Sequence, residues 1–254
     1  MTSPHALSVA MLLADARLPS GGHAHSASLE PALLGGMPTG DVPAWLVGRA
    51  TTVSLVEAGT AVVTARLFAG ADGGVAGAGA SEGVRPAGSP DAVRPADGFG
   101  LADVVRAWAA RTPAPALRDA ARLLGRGYLR LARTLWADAP AVRALAAHDA
   151  AHGPLPRAVV LGAVAAATGL PAPDTVRLTV YDDAQTAASA LLKLEPLDPV
   201  TPARWVLEAC AAAEQHVLRV AACTTPEDIP ASGSPQTEGW AQAHALLSQR
   251  LFRA

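Results

Sequence analysis

Residues 115–137 restrict the fold more than any other part of the sequence. Plotted at about 100° per residue, the period of an α-helix, their charged and apolar side chains separate onto opposite sides. One side carries Arg118, Arg122, Arg126, Arg130 and Arg133, and the other carries Leu117, Leu124, Tyr128, Leu131 and Leu135. This separation predicts an amphipathic helix with its apolar side against a core. The arginine stripe is either a solvated face or a docking surface for an acidic partner or a phosphate group.

Prolines and short polar clusters divide the rest of the chain into segments of helical length. The predicted helices cover 5–16, 27–34, 41–68, 100–111, 115–137, 140–150, 156–169, 173–194, 201–222 and 238–250. The 59 alanines favour helices, and three Phe and two Tyr leave few of the aromatic residues that favour strands. We therefore predict an all-α fold, a single domain of about ten helices with a flexible insertion and a protruding C-terminal tail.

Two segments have compositions that argue against core packing. Residues 70–98 are rich in Gly, Ala, Pro, Ser and Asp, so burial of apolar side chains cannot offset the entropy of ordering them. Residues 224–237 form a Pro/Ser/Gly-rich linker before a last apolar helix. We predict an α-helical domain at 1–223, with 70–98 as a flexible insertion, and a linker with a partner-binding helix at 224–254.

The charged residues exclude several classes of function. The chain has 20 Lys and Arg against 22 Asp and Glu, a net charge of −2, so general nucleic-acid binding is not expected. The one lysine, Lys193, follows Leu192 rather than a glycine, which excludes a Walker A phosphate-binding loop. Charged residues make up only 17% of the chain, which suggests that partner subunits cover part of its surface.

The cysteines and the apolar stretches predict the compartment. Cys210 and Cys223 lie on one predicted helix, about 20 Å apart, which is too far for a disulfide bond. No Lys or Arg precedes the apolar run within residues 1–16, so a signal peptide is not expected. The longest apolar stretches look too short to span a bilayer. We expect a soluble cytoplasmic protein with reduced thiols and no membrane partner.

Two histidine pairs are the candidate metal-binding or acid–base groups. His23 and His25 flank one residue in a Pro- and Gly-rich loop, and His148 and His152 lie one helical turn apart. Neither pair has a third ligand close in sequence, so both a metal site and a purely structural role remain open. An enzyme would need His25 to act with Asp15 or Glu30. The chain contains no G-x-S-x-G, H-E-x-x-H or C-x-x-C motif, so we expect no catalytic residues, no tightly bound cofactor and no permanent metal site.

Arg177 and Tyr181 lie one turn apart on the helix predicted at 173–194, so their side chains share one patch. Arginine and tyrosine are favoured at protein–protein interfaces. The pair is either an interface anchor or a half-buried tyrosine beside a solvated arginine.

The two ends of the chain carry a family signature. Residues 12–30 contain a leucine-rich helix followed by Asp15, Pro19, Gly21, Gly22, His25, Ser26 and Glu30. The C-terminus contains His244 and, six residues later, Arg250, Leu251 and Phe252. Both ends resemble those of the UreF urease accessory proteins, and residues 125–136, 161–170 and 194–197 are similar to the middle of that family.

The chain departs from the family pattern at several positions. His23 stands where the family usually has an aromatic residue, and Ala27 and Ser28 replace a usual glycine pair. Asp198-Pro199 replaces a usual Gly-Gln, and Ala245 replaces an acidic residue. These differences suggest a divergent member.

The resemblance implies an all-α, dimeric, non-enzymatic chaperone. It would bridge UreD (also called UreH) and the GTPase UreG, and help deliver nickel to apo-urease, with GTP and Mg²⁺ on UreG. On this basis Arg177 and Tyr181 are expected at the two-fold contact and Lys193 on the surface facing UreG. His244, Arg250, Leu251 and Phe252 are expected to bind UreD. The alternative is a GTPase regulator that acts through an arginine finger.

Overall fold

The computed structural model describes residues 4–15, 18, 25–73, 98–247 and 251–252. These residues form helices and turns, with no β-strand among them, which confirms the all-α prediction. In chain order the helices are α1 (Pro4–Leu13), α2 (Leu29–Leu34), α3 (Val42–Ala50), α4 (Val53–Gly73), α5 (Leu101–Ala110), α6 (Pro115–Leu135), α7 (Pro140–His152), α8 (Arg157–Thr168), α9 (Ala172–Leu194), α10 (Val200–Ala221) and α11 (Pro235–His244). Short 3₁₀ turns occur at Thr39–Asp41 and Pro226–Asp228.

Helices α4, α8 and α9 form the centre of the fold. Helix α4 packs on both α8 and α9, while α10 covers α9 and α3, and α6 covers α8. Two glycines allow close helix contacts, because a Cβ at Gly162 would lie 2.3 Å from the Ala61 carbonyl oxygen and one at Gly125 would lie 1.9 Å from that of Leu155. Because the backbone of a neighbouring segment comes this close to each glycine, no larger residue fits at these two positions of the core.

The single helix predicted at 41–68 is wrong, because the chain forms two helices there, α3 and α4. The break falls at Thr51 and Thr52. The Thr51 hydroxyl donates to the Val47 carbonyl oxygen at 2.9 Å and the Thr52 hydroxyl donates to that of Gly48 at 2.6 Å. Such side-chain hydrogen bonds compete with the helical backbone pattern and explain the interruption.

The prediction of a flexible insertion at 70–98 is only partly covered by the structure. Residues 70–73 are helical and complete α4. The remainder, 74–97, lies outside the described residues.

The predicted protruding tail is also corrected. Within the supposed linker, the Ile229 side chain is 2% exposed and its carbonyl oxygen accepts a hydrogen bond from Arg111 Nε at 2.8 Å. Helix α11 spans Pro235–His244 rather than 238–250, and Thr237 Oγ1 accepts a hydrogen bond from Trp45 Nε1 at 3.2 Å. One buried isoleucine and these polar contacts are enough to hold the segment on the helical domain.

We expected every apolar stretch to be too short to span a bilayer. By length and composition alone, one segment does not meet this expectation. Among the described residues, Thr39–Ala69 is long and apolar enough, yet 67% of its most apolar window is buried inside the fold. That burial is typical of a core helix.

Candidate partner-docking site

Helix α2 begins in a tight turn that belongs to the N-terminal signature. Ser26 Oγ accepts a hydrogen bond from the Glu30 backbone N–H at 3.2 Å, which satisfies a donor in the first turn of α2. Ala27 and Ser28 have φ angles of 48° and 70°, in the left-handed region that glycine adopts without strain. Ala27 and Ser28 therefore carry backbone strain at the start of α2 that a glycine would not.

The Glu30 carboxylate joins the two ends of the chain. Its oxygens accept hydrogen bonds from the backbone N–H of Leu251 at 2.7 Å and of Phe252 at 2.8 Å. His244 Nε2 lies 3.1 Å from the same carboxylate and donates to it, since a carboxylate can only accept. We call Glu30, His244, Leu251 and Phe252 the Glu30 clasp. Three signature positions of the C-terminus thus converge on one signature position of the N-terminus.

Three members of the Glu30 clasp are buried. Glu30, His244 and Phe252 are 5%, 2% and 4% exposed. Among the described residues, His244 Nδ1 has no hydrogen-bond partner. Buried hydrogen bonds to an ionised group are stronger than those between neutral groups, so the clasp ties the tail firmly to α2. Glu30 therefore has a structural role, which joins the tail to α2.

Lys193 lies beside the Glu30 clasp. Its Nζ is 5.1 Å from the centroid of the Phe252 ring, within the range of a cation–π contact. Lys193 itself is exposed at the end of α9. The structure therefore brings the residue predicted to face UreG next to the residues predicted to bind UreD.

Exposed apolar side chains surround the end of the tail. Leu246, Leu247 and Leu251 are 82%, 46% and 63% exposed. Exposed apolar side chains that cluster in one segment commonly mark a contact surface. Of the other signature positions, Asp15 is half-buried and His25 is 4% exposed. Pro19, Gly21, Gly22, His23 and Arg250 lie outside the described residues.

A second candidate surface lies between α9 and α10. Arg177 Nη2 and Nε lie 2.5 and 3.1 Å from the Glu214 carboxylate, and Nη1 lies 3.1 Å from Asp174. Tyr181 is half-buried in the same groove, whose volume is about 340 Å³. We call this the α9–α10 groove. The prediction that Arg177 and Tyr181 share one patch is confirmed, whereas their role at a two-fold contact stays a prediction.

Helix α10 exposes large apolar residues along the α9–α10 groove. Leu207 lines the groove and is 68% exposed, and Leu218 on the same helix is 75% exposed. Hydrogen bonding from Arg177 lowers the pKa of Glu214. An ion pair as open as this one contributes little to the stability of a single chain.

A buried ionic cluster beneath these surfaces was not predicted from the sequence. Arg49 pairs with Asp183 through bonds of 2.7 and 3.1 Å, and Ser54 donates to Asp183 at 2.8 Å. Arg157 pairs with Asp182. These groups join α3, α4, α8 and α9. The sequence feature that could have indicated this cluster is the pair of adjacent acids, Asp182-Asp183, in the middle of α9.

Burial and the neighbouring charges shift the pKa values of the acids in this cluster. Burial acts to raise the pKa of Asp183, but the Arg49 charge and its hydrogen bonds outweigh burial and lower it. Burial raises the pKa of Glu57, whose carboxylate accepts a 2.6 Å hydrogen bond from Trp108 Nε1. Burial also raises the pKa of Asp182 despite the nearby Arg157. Since each member has a partner, the cluster fixes the packing of four helices.

The structure also places the other residues considered in the sequence analysis, namely the arginines of α6 and the two cysteines. On α6, Arg118 donates to the carbonyl oxygens of Thr112 and Pro113, while Arg126, Arg130 and Arg133 are exposed. Cys210 and Cys223 are both free thiols, as predicted. Among the described residues no three His, Cys, Asp or Glu side chains cluster as metal ligands.

The fold defines an all-α protein, and its two candidate docking surfaces are the exposed end of the tail and the α9–α10 groove. The UreF family model matches residues 41–210. A urease accessory protein UreF from Mycobacterium sp. (strain JLS) is 32% identical over 248 residues, covering 97% of this chain and 98% of the relative. One from Mycobacterium marinum is 31% identical over 254 residues, with the same coverage of 97% and 98%. A third, from Mycobacterium tuberculosis, is 35% identical over 196 residues, covering 76% of this chain and 75% of the relative.

This chain belongs to the UreF family of urease accessory proteins. The family is one of accessory proteins rather than of enzymes, and its role is in urease maturation.

Proposed function

We propose that this chain is a cytoplasmic maturation chaperone that bridges UreD (UreH) and the GTPase UreG while nickel is inserted into apo-urease. Nickel is then a cargo in transit, and GTP with Mg²⁺ is bound by UreG. The observation that carries the proposal is the Glu30 clasp, which brings the tail and Lys193 to one surface. One partner can contact the tail while the other contacts Lys193, so the two partners would be held side by side.

The UreD contact is proposed to involve the exposed leucines of the tail. Leu251 is 63% exposed, and the backbone N–H of the buried Phe252 next to it donates to Glu30. Burying one leucine side chain contributes about 1.5–3 kcal/mol, equivalent to one to two decades in Kd. Since the clasp already orders the tail, UreD binding does not incur the full entropy cost of ordering a free segment.

The working form is proposed to be a homodimer through the α9–α10 groove. An exposed apolar helix face next to a paired arginine and a half-buried tyrosine has the composition of a protein interface. In a two-fold contact the same patch comes from both subunits, so each residue contributes twice.

The proposal is tested by mixing the purified chain with UreD and UreG and separating the complexes by size-exclusion chromatography. Lys193→Glu is expected to weaken UreG retention and spare UreD, because it reverses the only lysine beside the tail. Leu251→Asp is expected to weaken UreD retention by at least about tenfold. Equal loss of both partners, or loss of neither, would contradict the assignment.

Matched controls separate these effects from general damage. Arg143→Glu reverses an exposed charge on α7, and Leu135→Asp places an acid at an exposed leucine that ends α6. Neither residue lies in the Glu30 clasp or the α9–α10 groove, so both variants should assemble like the unmodified chain.

A further inference from the structure

Two histidines form a separate pair at the end of α7. His148 and His152 are one helical turn apart, and their ring centroids are 4.6 Å from each other with the planes tilted by 48°. His152 is exposed and His148 is half-buried, so the pair is open to solvent. It belongs to neither the Glu30 clasp nor the α9–α10 groove.

The spacing of the two rings fits a shared metal ion. With metal–nitrogen bonds of about 2.1 Å, two imidazoles on one ion place their ring centroids about 4.5–5.2 Å apart. The lower value corresponds to a nitrogen–metal–nitrogen angle near 90° and the higher to a tetrahedral angle. The observed separation of 4.6 Å lies within this range.

The end of the helix also favours a cation. His152 is the last residue of α7, and the unpaired carbonyl groups of a helix C-terminus carry a partial negative charge. Gly153 then turns the chain away with a φ of 90°, and a Cβ built on Gly153 would have no atom within 4 Å. No packed side chain of the described residues therefore covers this end of α7, where His152 is exposed.

We propose that His148 and His152 form a two-ligand surface site for a divalent transition-metal ion such as Ni²⁺, Zn²⁺ or Cu²⁺. Neutral imidazole suits these ions, whereas Mg²⁺ and Ca²⁺ require oxygen ligands. Among the described residues no third His, Cys, Asp or Glu completes a cluster, so the proposed site has two protein ligands. The site is independent of the partner contacts proposed above.

Equilibrium dialysis of the full chain against NiCl₂ tests the site, with MgCl₂ as the probe expected not to bind. The sharpest variant is His152→Ala combined with Ala150→His, which keeps the number of histidines but moves one ring about 200° from its partner around α7. Losing even an outer-shell partner lowers metal affinity about 10- to 100-fold. We expect this variant, and His148→Ala, to lose one bound Ni²⁺ per chain or to bind it at least about tenfold more weakly.

His216→Ala on α10 is the matched control, because His216 is a lone half-buried histidine and its removal should leave Ni²⁺ binding unchanged. Protection from diethyl pyrocarbonate, read by mass spectrometry, locates the ion: Ni²⁺ should protect His148 and His152. Unchanged Ni²⁺ binding in the relocated variant would overturn the proposal. So would modification of these two rings at the same rate with and without Ni²⁺. His152 is exposed, so the relocated variant is expected to keep its fold.

Discussion

Replacing Glu30 with glutamine tests whether the Glu30 clasp holds the tail on the helical domain. The substitution keeps the shape of the side chain but leaves one acceptor oxygen in place of two and adds an NH₂ group. Three donors point at the native carboxylate, namely the N–H groups of Leu251 and Phe252 and His244 Nε2. At least one of them must then face another donor.

The expected loss follows from the burial of the clasp. Hydrogen bonds to charged groups contribute about 1.5–3 kcal/mol, and a buried donor left without a partner costs about 1–3 kcal/mol. We expect Glu30→Gln to destabilise the docked tail by about 2–4 kcal/mol. Since about 1.4 kcal/mol is a factor of ten, the population of the open tail should rise about 30- to 700-fold.

Hydrogen exchange of the C-terminal peptide measures this opening directly. The amides of Leu251 and Phe252 should exchange faster in Glu30→Gln, while peptides from α8 and α9 should exchange as before. Glu208→Gln is the matched control, because Glu208 forms an exposed pair with Arg204 that contributes little. If the C-terminal amides exchange equally slowly in Glu30→Gln and in the unmodified chain, the reasoning on the clasp is refuted.

Three further predictions concern the core, the dimer and the pH dependence. Gly162→Ala places a Cβ 2.3 Å from a backbone oxygen and should lower the free energy of unfolding by about 3 kcal/mol or more in urea. Gly48→Ala, with open space around it, should raise that free energy by about 0.5–1 kcal/mol, and equal effects would contradict the close contact. Arg177→Ala with Tyr181→Asp should give monomers by light scattering with unchanged helical circular dichroism, so a persisting dimer would remove these residues from the interface. Backbone hydrogen bonds lower the pKa of Asp228 to about 2, so its stabilising effect is present above about pH 4 and lost as the pH falls through about 2. Urea unfolding of Asp228→Asn should therefore differ from the unmodified chain at neutral pH and converge with it in acid, and a constant difference would contradict the assignment.

The long helices could be predicted because their patterns are local. The segment predicted at 115–137 forms α6 at Pro115–Leu135, and the segment predicted at 173–194 forms α9 at Ala172–Leu194. Both begin with a proline in the first turn, and Tyr128 on the predicted apolar side of α6 is buried, although Leu135 on that side is exposed. The break at Thr51 and Thr52 was missed, because it depends on hydroxyl groups that choose between solvent and the preceding carbonyl groups.

Only part of the candidate docking site could be predicted, because local sequence patterns do not specify its contacts. Family signature positions indicated Glu30 and Phe252 separately, but their hydrogen bond joins residues from opposite ends of the chain, and no local pattern specifies it. The linker was predicted to be free because its composition is poor in apolar residues. A few well-placed contacts, among them the buried Ile229 side chain and the Trp45–Thr237 hydrogen bond, hold it on the domain, and a count of apolar residues does not reveal them.

The role in urease maturation is tested most directly by producing apo-urease with UreD and UreG, in the presence and absence of this chain, and measuring the nickel content of the purified urease. With the chain present we expect urease to contain nickel and to hydrolyse urea, and the chain carrying Lys193→Glu to load less nickel than the chain carrying Arg143→Glu. Equal nickel content with and without the chain would contradict the proposed function.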